Sequence, residues 1–492
     1  MKKIASIIIL IIIASVQLNG KLRLPSLLGD NMVLQQNTKV KLWGWSEPGE
    51  RITISTTWSR RTFATTADSC GNWSIYIKTP EHCSGQGMEI LSANTKELIK
   101  IENILIGEVW LASGQSNMEF EMKPNSKEKW MTGMYNWERE AADAHYPNIH
   151  LFKVEKAWEH GEPRSHCKGE WVVCTPEAAE SFSAIAFLFA RELHTTLQRP
   201  VGIILCAFGG THAESWIRKE VMQDKSIYNG VFEKYTPDKM EPKGYQHKVP
   251  SAIWNAMVNP IVGYTVKGNI WYQAESNSYR AKDYAPIFFD LVNDWRELWQ
   301  QKRLPFYIMQ VAPYASLPGK IREEQVKVWK EAGSMSEKSL HLKDICFATT
   351  IDTGDSLDVH PKEKLIPAQR FAKLALAKEY GVKVESCGPL LKKIESNGNT
   401  LVISFRNGKG LHVTDDSGAE KTTGVRYLSV AADDGIFYPA LSRIIGNKLI
   451  VWSPEVNAPK YVKYSTQDYC KGNIYNGAGL PAFPFNANIS TL

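Results

Sequence analysis

The chain has 492 residues, 43% of them hydrophobic and 22% charged, with a formal net charge of +6. That length exceeds one ordinary core and implies two or three domains of a soluble globular protein. Part of the small positive charge comes from Lys2 and Lys3, and no basic run marks a nucleic-acid surface, so no nucleic-acid partner is expected.

Residues 1–20 carry two lysines, then the aliphatic run Ile4 to Ile13, then Ala14, Ser15 and Gly20 as small residues near a cleavage point. An apolar core of about ten residues suits a secretory signal and is too short for a membrane span. A secreted or periplasmic location is therefore expected, with no membrane span after signal removal. No cysteine precedes Cys70, which argues against a lipid anchor at the cleavage point. Eight cysteines are too few for a disulfide scaffold in a chain this long. Cys167 with Cys174, and Cys70 with Cys83, are the local candidates for disulfides. Neither pair has partners at zinc spacing, so no metal is expected. Cys206 and Cys346 sit in apolar runs and read as inert core thiols.

From residue 21 to 100 the pattern alternates with period two, as in Lys39-Val40-Lys41-Leu42-Trp43 and Arg51-Ile52-Thr53-Ile54-Ser55, with turns at Pro48-Gly49 and Cys70-Gly71-Asn72. This predicts an N-terminal β domain without catalytic residues. From 101 to 381 apolar strands alternate with amphipathic helices, the mark of an α/β domain with a mainly parallel, doubly wound sheet. Strands are predicted at Ile104 to Ala112, Val201 to Ala207, Gly268 to Tyr272, Phe306 to Val311 and Ile345 to Thr349. Helices are predicted at Phe182 to Leu197, Pro286 to Trp299, Ile321 to Ala332 and Ile366 to Tyr380. From 382 to 492 short alternating strands return, such as Leu401 to Phe405 and Lys448 to Trp452, and predict a C-terminal β domain.

Four turns follow apolar strands of the middle domain, and the ends of parallel strands are where such sheets bind ligands. Gly114-Gln115-Ser116-Asn117-Met118-Glu119 presents a serine. Phe208-Gly209-Gly210-Thr211 presents glycines, Gln273-Ala274-Glu275-Ser276-Asn277 presents amides and a carboxylate, and Asp358-Val359-His360-Pro361 presents an imidazole. A serine hydroxyl becomes a nucleophile only when a base takes its proton, which makes Ser116 with His360 the candidate pair. Asp358, two residues from His360, is placed to orient the ring, with Asp355 and Asp352 as further candidates. A backbone carbonyl is the alternative orienting group. The oxyanion formed on attack needs donors. Backbone N–H groups of Ser116 and Gly210 are the first two, and Gln273 or Asn277 offers a third. Glu275 reads as a buried carboxylate holding its own loop, and His212 as lining the site.

With these residues assembled, the chain resembles the sialate O-acetylesterase family of the SGNH hydrolase superfamily, bacterial secreted type. Gly107-Glu-Val-Trp-Leu-Ala-Ser-Gly-Gln-Ser-Asn-Met-Glu119 carries the most specific similarity. The other blocks are Gly209-Gly210-Thr211 with Glu214-Ser215-Trp216, Trp271-Tyr272-Gln273 with Glu275-Ser276-Asn277, and Asp358-Val359-His360-Pro361 with Lys364. Asp30 to Gln35, Trp43-Gly44-Trp45 and Gly479-Leu480-Pro481 extend it into both β domains. The resemblance implies an SGNH-type core and hydrolysis of a sugar O-acetyl ester through an acyl-serine, without metal or organic cofactor. Its substrate would be an O-acetylated glycan or free sugar, foremost O-acetylated sialic acid. The alternatives are an acetyl-xylan or other polysaccharide esterase and, from a different class, a non-catalytic glycan-binding protein. Trp216 is the expected aromatic contact to the sugar. The family's usual glycine between Gln273 and Glu275 is Ala274 here, a strain if that position requires positive φ. Oligomeric state is not legible in the sequence.

Overall fold

The computed structural model describes residues 21–334 and 344–489; the expected signal segment at 1–20 lies outside them. The organising element is a single strand of seventeen residues, β1 (Leu98–Gly114), whose residues from Ile104 to Gly114 are all buried. Its first half pairs antiparallel with strand Cys83–Ser92, and its second half is the centre of a parallel sheet. The expected boundary at 100/101 therefore falls inside one continuous strand.

The parallel sheet adds β2 (Tyr146–Lys153), β3 (Trp171–Cys174), β4 (Val201–Ala207), β5 (Gly268–Tyr272), β6 (Phe306–Gln310) and β7 (Ile345–Thr349). In space their order is β7-β6-β5-β1-β4-β2-β3, with all neighbours parallel except the edge pair β2 and β3. Strands β4, β5 and β6 are buried at every residue, which requires cover on both faces. That cover comes from two helix pairs. Helix α2 (Ala184–Leu197) packs on α5 (Leu365–Glu379), and α3 (Tyr284–Leu298) packs on α4 (Lys320–Ser334). Ser183 caps α2 by accepting from the Ala186 N–H, and Gln198 ends it in the left-handed conformation. All four helices fall within a few residues of their predicted spans.

Two strands of this sheet, β2 and β3, are not among the predicted ones. β2 begins Tyr146-Pro147-Asn148, without an apolar run, and carries a buried His150 whose Nδ1 bonds Asn31 O at 2.5 Å. Placing a histidine in a strand core becomes favourable only once a distant carbonyl meets it.

The N-terminal β region obeys its period-two pattern: Lys39–Trp45 alternates buried and less buried residues and pairs antiparallel with Asn72–Lys78. The C-terminal region holds three small antiparallel sheets around a core of its own that includes Leu401, Ile403, Val430, Leu449, Val451 and Val462. No disulfide forms among the eight cysteines, which corrects both expected pairs. Cys167 lies 3.7 Å from the Ser26 hydroxyl, and Cys174 donates to Ala144 O at 3.7 Å, so each thiol is occupied elsewhere. Among the described residues no helix is long and apolar enough to cross a membrane.

Candidate active site

Strand order reverses at β1: on one side the chain returns inward from β2 and β3 to β4, and on the other it builds outward from β5 through β6 to β7. The crevice at the carboxyl ends of such strands is open to a ligand. Ser116 stands there, immediately after β1. Gly114 makes the turn possible: its φ is 138°, and a Cβ at this position would lie 2.1 Å from the Tyr272 carbonyl oxygen. The Phe208 N–H donates to Gly114 O and the Gln115 N–H to Tyr272 O, which locks the serine turn to both flanking strands.

His360 comes from the loop after edge strand β7 and crosses two strands to reach the serine. Its Nε2 lies 2.8 Å from Ser116 Oγ, a hydrogen bond of the kind that lets an imidazole take a hydroxyl proton. Trp130 packs on the imidazole with ring centroids 4.7 Å apart. Asp358 Oδ1 accepts the His360 backbone N–H at 2.8 Å and lies 3.6 Å from Nδ1. The carboxylate thus shapes the turn through the main chain and acts on the ring through space. Asp355 and Asp352 do not orient it. Asp355 caps its own turn by accepting the Leu357 N–H, and Asp352 is paired with Arg370 at 2.7 Å.

Burial pushes the His360 imidazole down to about 4, assisted by the Lys364 cation and opposed by Asp358. A general base must be neutral, so His360 is competent above that value and loses competence as pH falls through it. The acid limb of kcat/KM is expected near pH 4. Asp358→Asn removes the influence that raises the value, so the limb should move to lower pH. Because Asn retains an oxygen for the His360 N–H, the rate at pH 7 should fall less than about tenfold. A pH–rate profile of both proteins on p-nitrophenyl acetate checks this; a limb moving toward neutrality in the variant contradicts it.

Behind the pair lies a buried network that joins three loops. Asn117 donates through Nδ2 to Glu275 Oε1 at 2.6 Å and to Val359 O at 3.0 Å, and its Oδ1 accepts from Lys364 Nζ at 2.7 Å. Glu275 also accepts the Ala274 N–H at 3.1 Å. Lys364 is fully enclosed, with Nζ 4.4 Å from the Phe120 ring centre. Burial pushes it down to about 7, while Glu275 pulls the other way; burial likewise raises the Glu275 carboxyl. Local pattern assigns Asn117 no role, and the role comes from its reach across the fold.

Ser116 and Gly210, the two expected backbone donors, both line the cleft. The Ser116 N–H begins a helical turn and so has no intrahelical acceptor. Gly210 lines the cleft at φ 71°, a conformation that favours glycine. The Gly209 N–H donates to Glu119 Oε2, and Glu119 is paired with Lys156 at 2.8 Å, so this turn is tied to the serine helix. The Gln273 side chain does not line the cleft. Its Nε2 donates to Thr211 O at 3.2 Å and to Asn277 Oδ1 at 2.7 Å. Asn277 in turn accepts the Ala213 N–H and donates to Glu214 Oε2. With their amides engaged, neither supplies the expected third oxyanion donor; together they brace the segment that follows Gly210.

Two other expected contacts are also turned away. Trp216 is fully buried, donates to Thr211 Oγ1 at 3.0 Å and packs edge-on against Trp271, so it belongs to the core and does not meet a sugar. His212 packs against Tyr235 and Tyr279, and burial pushes it down to about 3. Ala274 is buried with φ at 161°, in the extended range any residue adopts, so its methyl imposes no left-handed strain.

The cleft over Ser116 has a volume of about 900 Å³. Trp130, Phe208, Tyr245 and Tyr314 form much of its wall, with Lys156 and Lys248 as cations. Apart from Phe208 in the Gly-Gly turn, none of these carries a sequence signal, because each lies in a loop or short turn without periodicity. Among the described residues, no group of three or more His, Cys, Asp or Glu side chains is placed to hold a metal ion.

Residues 106–376 match the family model described as carbohydrate esterase, sialic acid-specific acetylesterase, over more than half of the chain. The chain belongs to that family. Among its relatives, the sialate O-acetylesterase of Mus musculus is 26% identical over 447 residues, covering 80% of this chain and 81% of that protein. The sialate O-acetylesterase of Homo sapiens is 27% identical over 406 residues, covering 76% of this chain and 74% of its own. A solved carbohydrate acetylesterase from Xanthomonas citri superimposes with a TM-score of 0.81 at 27% identity, covering 95% of this chain and 99% of that one. The protein is therefore a carboxylic ester hydrolase whose reaction is the removal of O-acetyl groups from sugars. Unlike the central sheet and its site, the C-terminal β region lies wholly outside the matched family segment.

Proposed function

We propose that this carbohydrate esterase works through an acyl-serine on Ser116, with His360 as base, in an SGNH-type doubly wound core flanked by the two β regions. The 2.8 Å contact between Ser116 Oγ and His360 Nε2 carries the reading. Ser116 Oγ attacks the acetyl carbonyl carbon while its proton passes to His360 Nε2. The negative charge that develops on the carbonyl oxygen is met by the backbone N–H groups of Ser116 and Gly210. As the tetrahedral intermediate collapses, the carbon–oxygen bond to the sugar breaks and His360 returns the proton to the departing sugar oxygen. Water, deprotonated by the same ring, then attacks the acyl-serine; the bond from the carbonyl carbon to Ser116 Oγ breaks, His360 returns the proton to Oγ, and acetate leaves. Asp358 steadies the imidazolium, and the Asn117 network holds the base to the nucleophile.

For the substrate, an anionic sugar such as an O-acetylated sialic acid is favoured over neutral acetyl-xylan. Lys248 lines the cleft with its ammonium 4.1 Å from the Tyr245 ring centre, and among the described residues no carboxylate is paired with it. Burial holds this lysine below its usual range, and an anion beside it would restore the charged form. Acetate release should be faster from O-acetylated sialic acid than from acetyl-xylan, measured side by side on purified protein. Faster hydrolysis of acetyl-xylan would reverse the assignment. Absence of turnover on p-nitrophenyl acetate would leave the non-catalytic glycan-binding reading instead.

A further inference from the structure

The catalytic cleft does not end at the reacting pair. A second groove of about 580 Å³ adjoins it, and Lys156 and Trp158 line both. The first cleft already lies at the upper end of the roughly 300–1,000 Å³ that hold a drug-sized ligand. An acetyl group and one sugar ring do not need the second space. Trp158 stands at the junction, 41% exposed, with its ring centre 6.2 Å from that of Phe208. Leaving an indole this exposed forgoes the burial that would stabilise it, unless a ligand covers it.

The loop that carries Trp158 is held rigidly for a surface segment. Arg164 Nη2 donates to the Trp158 carbonyl at 3.1 Å, and Arg164 is paired with Glu159 at 3.3 Å. The Glu159 N–H donates to Ala252 O at 3.0 Å and the Arg164 N–H to Asn255 O at 2.8 Å. Asn255, itself buried, donates through Nδ2 to the carbonyls of Glu159 and Gly161 at 3.1 and 3.0 Å. Asn259 donates to Arg164 O at 2.9 Å. A platform fixed before binding loses little entropy when a ligand settles on it.

We propose that the groove beyond Trp158 is a subsite for the sugar unit next to the acetylated one, so that the enzyme's substrate class is an O-acetylated oligosaccharide or glycan chain rather than a free monosaccharide. This rests on the sugar-deacetylation reading above. The apolar C–H face of a pyranose ring packs on the flat indole while its hydroxyls remain available to polar neighbours. Lys156 and Arg164 supply donors on the groove wall, and Lys156, paired with Glu119 beside the catalytic turn, links the subsite to the reacting end.

The experiment compares kcat/KM for acetylated monosaccharide, acetylated trisaccharide and p-nitrophenyl acetate in the wild type, Trp158→Ala and Trp158→Phe. The wild type should prefer the trisaccharide to the monosaccharide. In Trp158→Ala the trisaccharide to p-nitrophenyl acetate ratio should fall roughly tenfold, mainly through KM, as loss of uniform binding requires. Trp158→Phe should restore most of it. A wild type indifferent to chain length, or a Trp158→Ala ratio equal to that of the wild type, overturns the subsite and leaves sugar deacetylation standing. Wild-type turnover of p-nitrophenyl acetate with no release from either sugar overturns both.

Discussion

Ser116→Ala and His360→Ala should each lower kcat/KM on p-nitrophenyl acetate by about 10⁴-fold or more, and the double variant should be no slower than either alone. The magnitude follows from the division of labour at the 2.8 Å contact. On the proposed mechanism no acyl-enzyme would form without the hydroxyl, and the hydroxyl would keep its proton without the imidazole. Non-additivity follows because each group acts only through the other. Ser116 Oγ bonds the His360 imidazole, so its removal should leave the thermal midpoint within about 2 °C of the wild type. Either single variant retaining wild-type turnover, with the protein folded, would remove the basis for the pair.

Asn117→Ala should produce the next largest effect, of a different kind. This side chain bonds Glu275, the Val359 carbonyl and Lys364 at once. Its loss strips partners from two buried ionisable groups and releases the residue just before His360. Stability should fall by about 2–4 kcal/mol as those groups are left unsatisfied. kcat should fall about 10²-fold, the cost of displacing a base from its nucleophile by around an ångström, with KM changed far less. Denaturant unfolding and steady-state kinetics separate the two effects. A destabilised variant with unaltered kcat would make Asn117 merely architectural.

The hydrophobic pattern made much of this molecule legible beforehand. Apolar runs that end at Ala112, Ala207, Tyr272 and Thr349 are strands because their side chains need cover on both faces, and the turns after them carry the site. The candidate pair Ser116 and His360 was readable because four strand-end turns of one domain together carried a serine, an imidazole, glycines and amides, although each alone reads as an ordinary turn. Trp216 shows where this reasoning stops. Sequence placed it next to the Gly210 turn, but its indole faces inward to meet Thr211 and Trp271. Gln273 and Asn277 are similar: an amide near a site donates to whichever acceptor is closest in space, here Thr211, each other and Glu214.

Apart from β2 and β3, the order of residues by itself determined the strands of the central sheet and which side chains sit at their ends, because periodicity and turn chemistry are local properties of the chain. Only the tertiary structure decided the order of the strands. That order carries the His360 loop across from edge strand β7 to the crevice at β1, a span of 244 residues in sequence closed to a hydrogen bond. It also decided that the aromatic wall belongs to Trp130, Phe208 and Tyr245 and not to Trp216. Side-chain direction follows from what packs behind each loop, and that is set by contacts between segments no local pattern connects.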